Sequence, residues 1–279
     1  MALKTEVLDR IPTYPGRVRL TPVSGSADTY DLVRADQAIQ EGTPLNKKLF
    51  DQKAYCLTED VTVYVATTGS DLTGDGTAAA PYATIQKALD SLPKWLDGYH
   101  AIVDVAAGTY NERLNIDGFL GGRLTIGVAG RAVTVRGISV WSSSFVRINI
   151  PTVSYSASFS GSLIYLGAGS DVAVISSMVL SGANASTIGV GLEQGSTFTV
   201  PAGVSITVDS TTYAGVHANT GARANLYRIA GSGNAAAALR ADNGGVITYG
   251  TRTIEGATTF VTDSGGKIYR GAQNNVPEY

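Results

Sequence analysis

Hydrophobic and polar residues alternate over most of this chain, and one stretch departs clearly from that alternation. Residues 60–66, DVTVYVA, alternate like a half-buried strand and lead into a polar turn cluster, GSDLTGDGTAAAP. The next run, YATIQKALDSLP, has apolar residues at positions i, i+3, i+4 and i+7: Ile85, Ala88, Leu89 and Leu92. With Thr84 as N-cap and Pro93 as terminator, this spacing predicts one short amphipathic helix.

Beyond this helix the pattern is typical of strands alone. The run HAIVDVAAGTYNERLNI contains two strand candidates, around Ala101–Ala106 and Arg113–Ile116. From Leu124 to Arg270 no helical period recurs, and short runs rich in Val, Ile and Thr are separated by glycine and small polar residues. This pattern predicts an all-β region built from many short strands.

The strand region also repeats itself. Five segments begin with a glycine, at spacings of 26, 26, 23 and 21 residues: Gly169, Gly195, Gly221, Gly244 and Gly265. An apolar residue stands five positions before each glycine: Ile164, Val190, Val216, Leu239 and Phe260. Another stands three positions after it: Val172, Phe198, Ala224, Ile247 and Ile268. A short period of strands without helices indicates a parallel β-solenoid, whose coils stack about 4.8 Å apart.

The single helix has a predicted place in such a solenoid. The first coil of a solenoid leaves its apolar interior and its strand edge open to water unless something covers them. We therefore expect the helix to cap this end through Ile85, Ala88, Leu89 and Leu92. The resulting division of the chain is an N-terminal arm at 1–58, the solenoid start with its capping helix at 59–118, and the coils at 119–279.

Residues 1–58 have a different character. The run RIPTYPGRVRLTPVSG is rich in proline, which disfavours helices and central strands, and it contains one short strand candidate, Arg17–Leu20. In GTPLNKKLF, Thr43 as N-cap and Pro44 at the first position predict a short helix to about Gln52. The segment has too few apolar residues for its own core, so we interpret it as an arm that orders against a partner. A flexible leader is the alternative.

Composition and charge exclude several classes of function. Lys and Arg (21) nearly balance Asp and Glu (23), whereas nucleic-acid binding requires a clear basic excess. The single Cys56 excludes an intramolecular disulfide. No apolar run approaches the ~18 residues of a membrane span, and no apolar stretch follows the N-terminal lysine as in a secretory signal. We expect a protein made in a cytoplasm, without membrane insertion.

The helix and the strands around it resemble a known family. The runs YVATTGSD, GDGT and APYATIQKALDSLP, followed by VDVAAGTYNERLNIDGFLGG, resemble the start of right-handed parallel β-helix proteins of the pectate-lyase-like superfamily. The resemblance covers about residues 61–127 and is closest to versions carried by bacteriophage tail fibres and tailspikes. Residues 9–52 look like the leader of phage tail-appendage proteins.

This resemblance implies a function. It implies a virion appendage, a homotrimer made in the host cytoplasm, whose residues 1–58 anchor it to other virion proteins. The anchoring positions would be in the arm: Tyr14, Pro15, Leu20, Pro44, Leu45 and Leu49. The β-helix would then be displayed for attachment to the host surface, with a cell-surface glycan as the candidate ligand.

Because the superfamily contains polysaccharide lyases and hydrolases, a catalytic site is an alternative. Polar residues stand two positions before four of the landmark glycines: Glu193, Asn219, Asp242 and Asp263. Stacked on adjacent coils, Asp242 and Asp263 would lie near the ~5–5.5 Å separation of a retaining glycosidase pair. The competing interpretation is that EQGS, NTGA, DNGG and DSGG are tight turns that select these residues. We favour the turn interpretation.

Other chemistry is less well supported. His100 and His217 belong to no Cys/His cluster, so no zinc site is predicted, and Asp71 and Asp75 are interpreted as turn residues. No cofactor or metal is expected. Several aromatic residues fall partly outside the repeat: Trp95, Tyr99, Tyr110, Trp141, Tyr155, Tyr165, Tyr213, Tyr227 and Tyr249. Facing outward, they would either stack on sugar rings or be scattered surface residues.

The sequence therefore predicts a structural and adhesive phage tail-fibre or tailspike component, more an attachment protein than an enzyme. One alternative is a polysaccharide depolymerase that uses acids such as Asp242 and Asp263. The other is an internal virion adaptor whose β-helix binds only other virion proteins.

Overall fold

The computed structural model describes residues 11–12, 18–22, 30–34, 38–40, 56–155, 161–182 and 187–271. Side chains are described from residue 56 onward, except at 187, 235 and 255–258. The chain divides into two units, Met1–Ala54 and Tyr55–Tyr279, which are treated separately.

Among the described residues of the second unit, all strand pairings are parallel. The strands of its first half are β5 (Val61–Val65), β6 (His100–Val105), β7 (Gly108–Asp117), β8 (Arg123–Ile126), β9 (Val133–Trp141), β10 (Val146–Ile148), β11 (Thr152–Tyr155) and β12 (Gly161–Gly167). Those of its second half are β13 (Asp171–Val174), β14 (Met178–Gly182), β15 (Thr187–Leu192), β16 (Thr197–Val200), β17 (Ile206–Asp209), β18 (Ala214–Ala218), β19 (Arg223–Ala241), β20 (Val246–Thr262) and β21 (Lys267–Arg270).

These strands stack into three ladders, which form the sides of a solenoid of about 6 turns. The first ladder runs β5-β6-β8-β10-β13-β16-β19-β20-β21. The second runs β7-β9-β11-β14-β17-β19-β20, and the third runs β7-β9-β12-β15-β18-β19-β20. The long strands β7, β9, β19 and β20 continue around a corner and contribute to two or three ladders. The predicted all-β parallel solenoid is confirmed.

The predicted columns match the observed register. In the third ladder, Ile164, Val190, Val216, Leu239 and Phe260 are aligned on successive coils. In the first ladder the aligned residues are Val172, Phe198, Ala224, Ile247 and Ile268. All are buried except the two on the last coil, Phe260 at 39% exposure and the partly buried Ile268. The hydrophobic core is therefore a set of inward columns that run the length of the solenoid.

The landmark glycines lie in type I′ turns between the third and first ladders. Each has a positive φ, between 69° and 82°, and the residue before each also has a positive φ. The turn closes with a backbone bond, as from Ser196 N–H to the Glu193 carbonyl (3.1 Å). The glycine N–H then donates to the next coil, as from Gly195 to the Thr220 carbonyl (3.1 Å). The turns thus stack on one another like the strands.

The helix α1 (Ile85–Ser91) packs against β5, β6 and β7 at the start of the solenoid. Ile85, Ala88 and Leu89 are completely buried, and Leu92, just past the helix, is 6% exposed. The Thr84 hydroxyl accepts the Lys87 N–H as the N-cap. The function of this helix as the cover of the first coil stays a prediction.

Two carboxylates from outside the helix hold its N-terminus. Asp71 Oδ1 accepts the N–H groups of Ala83 (2.8 Å) and Thr84 (3.0 Å). Glu112 of β7 accepts the N–H of Ile85 (2.8 Å) and that of the following residue (2.9 Å). The N–H groups at a helix start have no partner within the helix, so these carboxylates satisfy donors that would otherwise be unpaired. The long polar turn before the helix therefore delivers Asp71 to the helix start.

The first unit contains four described strands. β1 (Ile11–Pro12) pairs with β4 (Ala38–Gln40), and β2 (Val18–Pro22) pairs with β3 (Tyr30–Arg34), both antiparallel. The strand expected at Arg17–Leu20 falls on β2, where Leu20 lies opposite Leu32. The expected helix from Pro44 to Gln52 lies outside the described residues, as do the anchoring positions Tyr14, Pro15, Pro44, Leu45 and Leu49.

Candidate functional site

Polar and aromatic side chains gather on the outer surface of the third ladder. Because successive residues of a strand point to opposite faces, the residues between the buried columns point outward. The register places Tyr165, Gly191, His217 and Arg240 in one outward column. A second column, where the strands meet the turns, includes Trp141, Gly167, Glu193, Asn219 and Asp242. We call the set Trp141, Tyr165, Glu193, Tyr213, His217, Arg240 and Asp242 the outer strip.

The part of the outer strip nearer the N-terminal end of the solenoid, called its lower part, consists of an aromatic pair and a carboxylate. The rings of Trp141 and Tyr165 are tilted at 44°, with centroids 4.9 Å apart. A Cβ atom at Gly167 would lie 2.7 Å from the Trp141 ring, so the glycine makes room for the indole. The Tyr165 hydroxyl donates to Glu193 Oε2 (3.0 Å). Burial and the Glu193 carboxylate raise the pKa of Tyr165 to about 12, so it remains a hydrogen-bond donor.

The upper part is centred on Asp242, which is 7% exposed. Its Oδ2 accepts a hydrogen bond from Arg240 Nε (2.5 Å) and lies 3.1 Å from His217 Nε2. The Arg240 guanidinium lies 5.0 Å from the centre of the Tyr213 ring, within cation–π range. The Tyr213 and His217 rings are 5.6 Å apart. Four side chains from two adjacent coils therefore form one connected cluster.

Burial sets the charges in this cluster. It lowers the pKa of His217, an effect that Asp242 opposes and the Arg240 guanidinium reinforces. The pKa of Arg240 is raised by its hydrogen bond to Asp242. We infer that at pH 7 a neutral His217 donates from Nε2 to the Asp242 carboxylate, while Arg240 supplies the positive charge that balances it.

The acidic residues predicted as catalytic candidates begin type I′ turns. Glu193 holds Tyr165, Asp242 holds Arg240 and His217, and the exposed Asp263 accepts the Ser264 N–H at Oδ1 (2.6 Å). Asp242 and Asp263 stand on successive coils at equivalent turn positions. The recurrence of these acids thus has a conformational reason. Their catalytic function stays a prediction that no contact in the cluster specifically supports.

Sequence reasoning set His217 aside because no His or Cys lies near it in the chain. Its partner residues lie one coil later, at Arg240 and Asp242. The repeat carried the necessary signal, since a shift of 23 residues aligns Gly221 with Gly244 and also His217 with Arg240. If the repeat is used to align outward positions as well as buried ones, it predicts that His217 and Arg240 are neighbours on adjacent coils.

Five of the nine aromatic residues outside the repeat show three different environments. Trp141, Tyr165 and Tyr213 belong to the outer strip. Tyr110 is 4% exposed, and its hydroxyl donates to the Ala106 carbonyl, so it is a core residue. Trp95 is 50% exposed and lies off the strip, beside Leu120 in a parallel bridge. Only part of the predicted aromatic set is therefore arranged as a patch.

Two further observations concern metal sites and membrane-spanning helices. In the ranges that the structure describes, no group of three or more His, Cys, Asp or Glu side chains is arranged to hold a metal ion. A helix long and apolar enough to cross a membrane is likewise not found in those ranges.

Comparisons of the chain with protein-family models, with curated proteins and with solved structures found no match.

The outer strip is suited to binding an extended ligand. Trp141 to Asp242 spans four steps between coils, or about 19 Å at ~4.8 Å per step. Along that length it presents the partly exposed rings of Trp141 (36%) and Tyr213 (38%). The Tyr165 phenol and the Glu193 carboxylate lie on the coils between them, and the Arg240 guanidinium lies against the Tyr213 ring. Aromatic faces stack on apolar ring faces, while the polar groups exchange hydrogen bonds with hydroxyls.

Proposed function

We propose that this protein is a structural and adhesive component of a bacteriophage tail fibre or tailspike. It attaches to the virion through residues 1–58 and displays its solenoid toward the host surface. The resemblance of residues 61–127 to phage β-helix proteins and the parallel solenoid support this proposal. A right-handed coil is part of the proposal, since parallel strand crossovers are right-handed in ~98% of cases.

The proposed ligand is a host cell-surface glycan, bound along the outer strip. The observation that carries this proposal is the alignment of the Trp141–Tyr165 pair and the Tyr213–Arg240 contact along one side of the solenoid. A shallow strip of this kind gives weak single contacts. A homotrimer with several copies per particle would multiply them into strong attachment, because linked sites rebind at a high effective concentration.

Adhesion is better supported than cleavage. A retaining depolymerase requires one carboxylate free to attack the sugar and a second that can donate a proton. Asp242 is 7% exposed, and its Oδ2 contacts Arg240 and His217. This arrangement favours a fixed carboxylate that orients its neighbours.

The test is to couple the full chain to beads at high density and to incubate them with a panel of purified bacterial surface polysaccharides. We expect retention of at least one polysaccharide with no change in its chain length, measured by size-exclusion chromatography. Retention of none, together with no attachment of the beads to the source bacteria, would contradict adhesion. Shortening of a polymer that is abolished by Asp263→Asn would establish the depolymerase instead.

A further inference from the structure

The C-terminal end of the solenoid has an open strand edge in the described part of the chain. There β21 pairs only with β20, and beyond Tyr249 the strand β20 pairs only with β19. The core reaches the surface at the same end, since Phe260 is 39% exposed whereas Leu239, one coil earlier, is completely buried. An open edge beside exposed apolar side chains favours pairing with another chain, unless the edge is protected.

Three large side chains meet over the core at this end, and each belongs to a different ladder. They are Tyr249 in the first ladder, Arg252 in the second and Phe260 in the third. Each continues an inward column of completely buried aliphatic residues, whose preceding members are, in the same order, Leu226, Ile229 and Leu239. We call Tyr249, Arg252 and Phe260 the terminal cluster. The repeat thus places an arginine at a position where the preceding coil has an aliphatic residue.

Arg252 contacts both aromatic rings of the terminal cluster. Its guanidinium carbon lies 4.8 Å from the centre of the Phe260 ring and 5.9 Å from that of the Tyr249 ring, within cation–π range. The centres of the two rings are 5.5 Å apart, and Arg252 Nη1 donates to the Ile254 carbonyl (3.3 Å). The end of the core is therefore covered by a charged group that is held in place, rather than by a further aliphatic layer.

A second arginine has an equivalent place in the first ladder. Arg270 of β21 is aligned with Tyr249, so it lies over the inward column of that ladder. Neither Arg252 nor Arg270 forms an ion pair with a side chain that the structure describes. Lys267 of β21 points outward instead, because its neighbour Ile268 is the inward residue. Two positive charges without a paired carboxylate therefore lie over the end of the core.

We propose that Arg252 and Arg270 make the C-terminal end of the solenoid a surface that excludes a second copy of the chain. Two identical ends meet around a twofold axis, which would bring the arginines of one copy onto those of the other. Burying unpaired charges is costly, and like charges repel. Inward-pointing charged residues are one of the ways in which β proteins protect an open edge. This function does not depend on the proposed adhesion.

The test is to measure the mass of the full chain in solution by analytical ultracentrifugation, over a wide range of concentrations. The double variant Arg252→Leu/Arg270→Leu extends the apolar columns to the edge. We expect its mass to rise toward twice that of the wild type at the same concentration, because twofold pairing closes after one step. The matched control, Arg228→Leu/Lys267→Leu, removes the same charge and adds the same side chains at exposed outward positions, so it should keep the wild-type mass.

Three results would overturn the proposal. One is a wild-type mass in the Arg252→Leu/Arg270→Leu chain when its circular dichroism spectrum shows that it is folded. Another is an equal rise in the control variant, which would reduce the effect to added surface apolarity. The third is a doubled mass in Arg252→Lys/Arg270→Lys, which keeps both charges. If the double leucine variant does not fold, Arg252→Leu alone should show a smaller rise in mass, and its absence would equally contradict the proposal.

Discussion

Among single residues, Asp242 has the most constrained side chain of the outer strip. Its Oδ2 contacts both Arg240 and His217, and its Oδ1 is buried with no hydrogen-bond partner in the described part of the chain. Asp263, one coil later at the equivalent turn position, is exposed and contacts its own turn. Equivalent positions in the repeat thus have different environments. The difference between them determines what a substitution should do.

We predict that Asp242→Asn lowers the free energy of unfolding by about 1–3 kcal/mol, because Arg240 and His217 lose a charged acceptor in a buried place. Asp263→Asn should change it by less than about 0.5 kcal/mol, since asparagine also suits a turn and the site is exposed. Urea unfolding followed by circular dichroism measures both. Equal losses in the two variants would contradict the difference in environment.

A second prediction concerns pH. Burial lowers the pKa of His217 below 6.5, its ordinary value, so the folded chain binds this proton less readily than the unfolded chain. The contribution of this pKa difference to the free energy of unfolding is therefore complete above pH 6.5, and it is lost as the pH falls toward the pKa of His217 in the folded chain. His217→Gln should make the fall in unfolding free energy between pH 7.5 and 5.5 shallower. The pKa of His100 is also lowered, so His100→Gln should act in the same direction. An unchanged slope in His217→Gln would refute this account.

At the scale of elements, α1 depends on groups outside its own sequence. Its seven residues are too few for a stable helix in isolation, so its packing and the capping carboxylates must stabilise it. The helix itself was predictable, because its apolar spacing, its N-cap and its terminating proline are local signals. The involvement of Asp71 and Glu112 was not, because those contacts depend on how the turn cluster and β7 meet in space.

Removing one of these carboxylates should weaken the solenoid start. We predict that Asp71→Ala lowers the free energy of unfolding by about 1–2 kcal/mol, the usual cost of losing an N-terminal cap. Asp90→Ala is the control on the same helix. Its carboxylate accepts a hydrogen bond from the Gln86 side chain (2.9 Å), for which we expect about 0.2–0.5 kcal/mol. Chemical denaturation monitored near the helix would detect the difference, and a similar effect of both substitutions would argue against the capping function of Asp71.

The type I′ turns lead to another prediction. An added Cβ at Gly245 would lie 2.2 Å from the Ala218 carbonyl oxygen, whereas at Gly221, with φ 72°, it would meet nothing within 4 Å. We therefore expect Gly245→Ala to cost about 3 kcal/mol or more through steric overlap. Gly221→Ala should cost only the backbone strain, about 1–2 kcal/mol. Comparing the two by urea denaturation tests the register, because a shifted register would remove this contrast.

At the scale of the whole molecule, buried positions were more predictable than surface ones. Glycine spacing and two apolar columns were enough to predict the parallel solenoid, because inward residues must repeat for coils to stack. Outward residues such as His217, Arg240 and Thr199 obey no such rule. Whether each of them has a partner depends on the side chains beside it on adjacent coils. The sequence alone does not show which of those side chains it contacts. The anchoring arm and the virion assembly rest on resemblance and stay predictions.

The most direct test of the central claim, adhesion along the outer strip, is a binding comparison on the polysaccharide that wild-type beads retain. We predict that Trp141→Ala and Tyr213→Ala each weaken retention at least about tenfold, since aromatic side chains are enriched among the few residues that contribute most of the binding energy of an interface. Trp95→Ala removes a side chain that is more exposed (50%) than either strip ring but lies off the strip, and it should retain wild-type binding. Loss in Trp95→Ala with full binding in the two strip variants would contradict the account and would place the adhesive surface elsewhere on the solenoid.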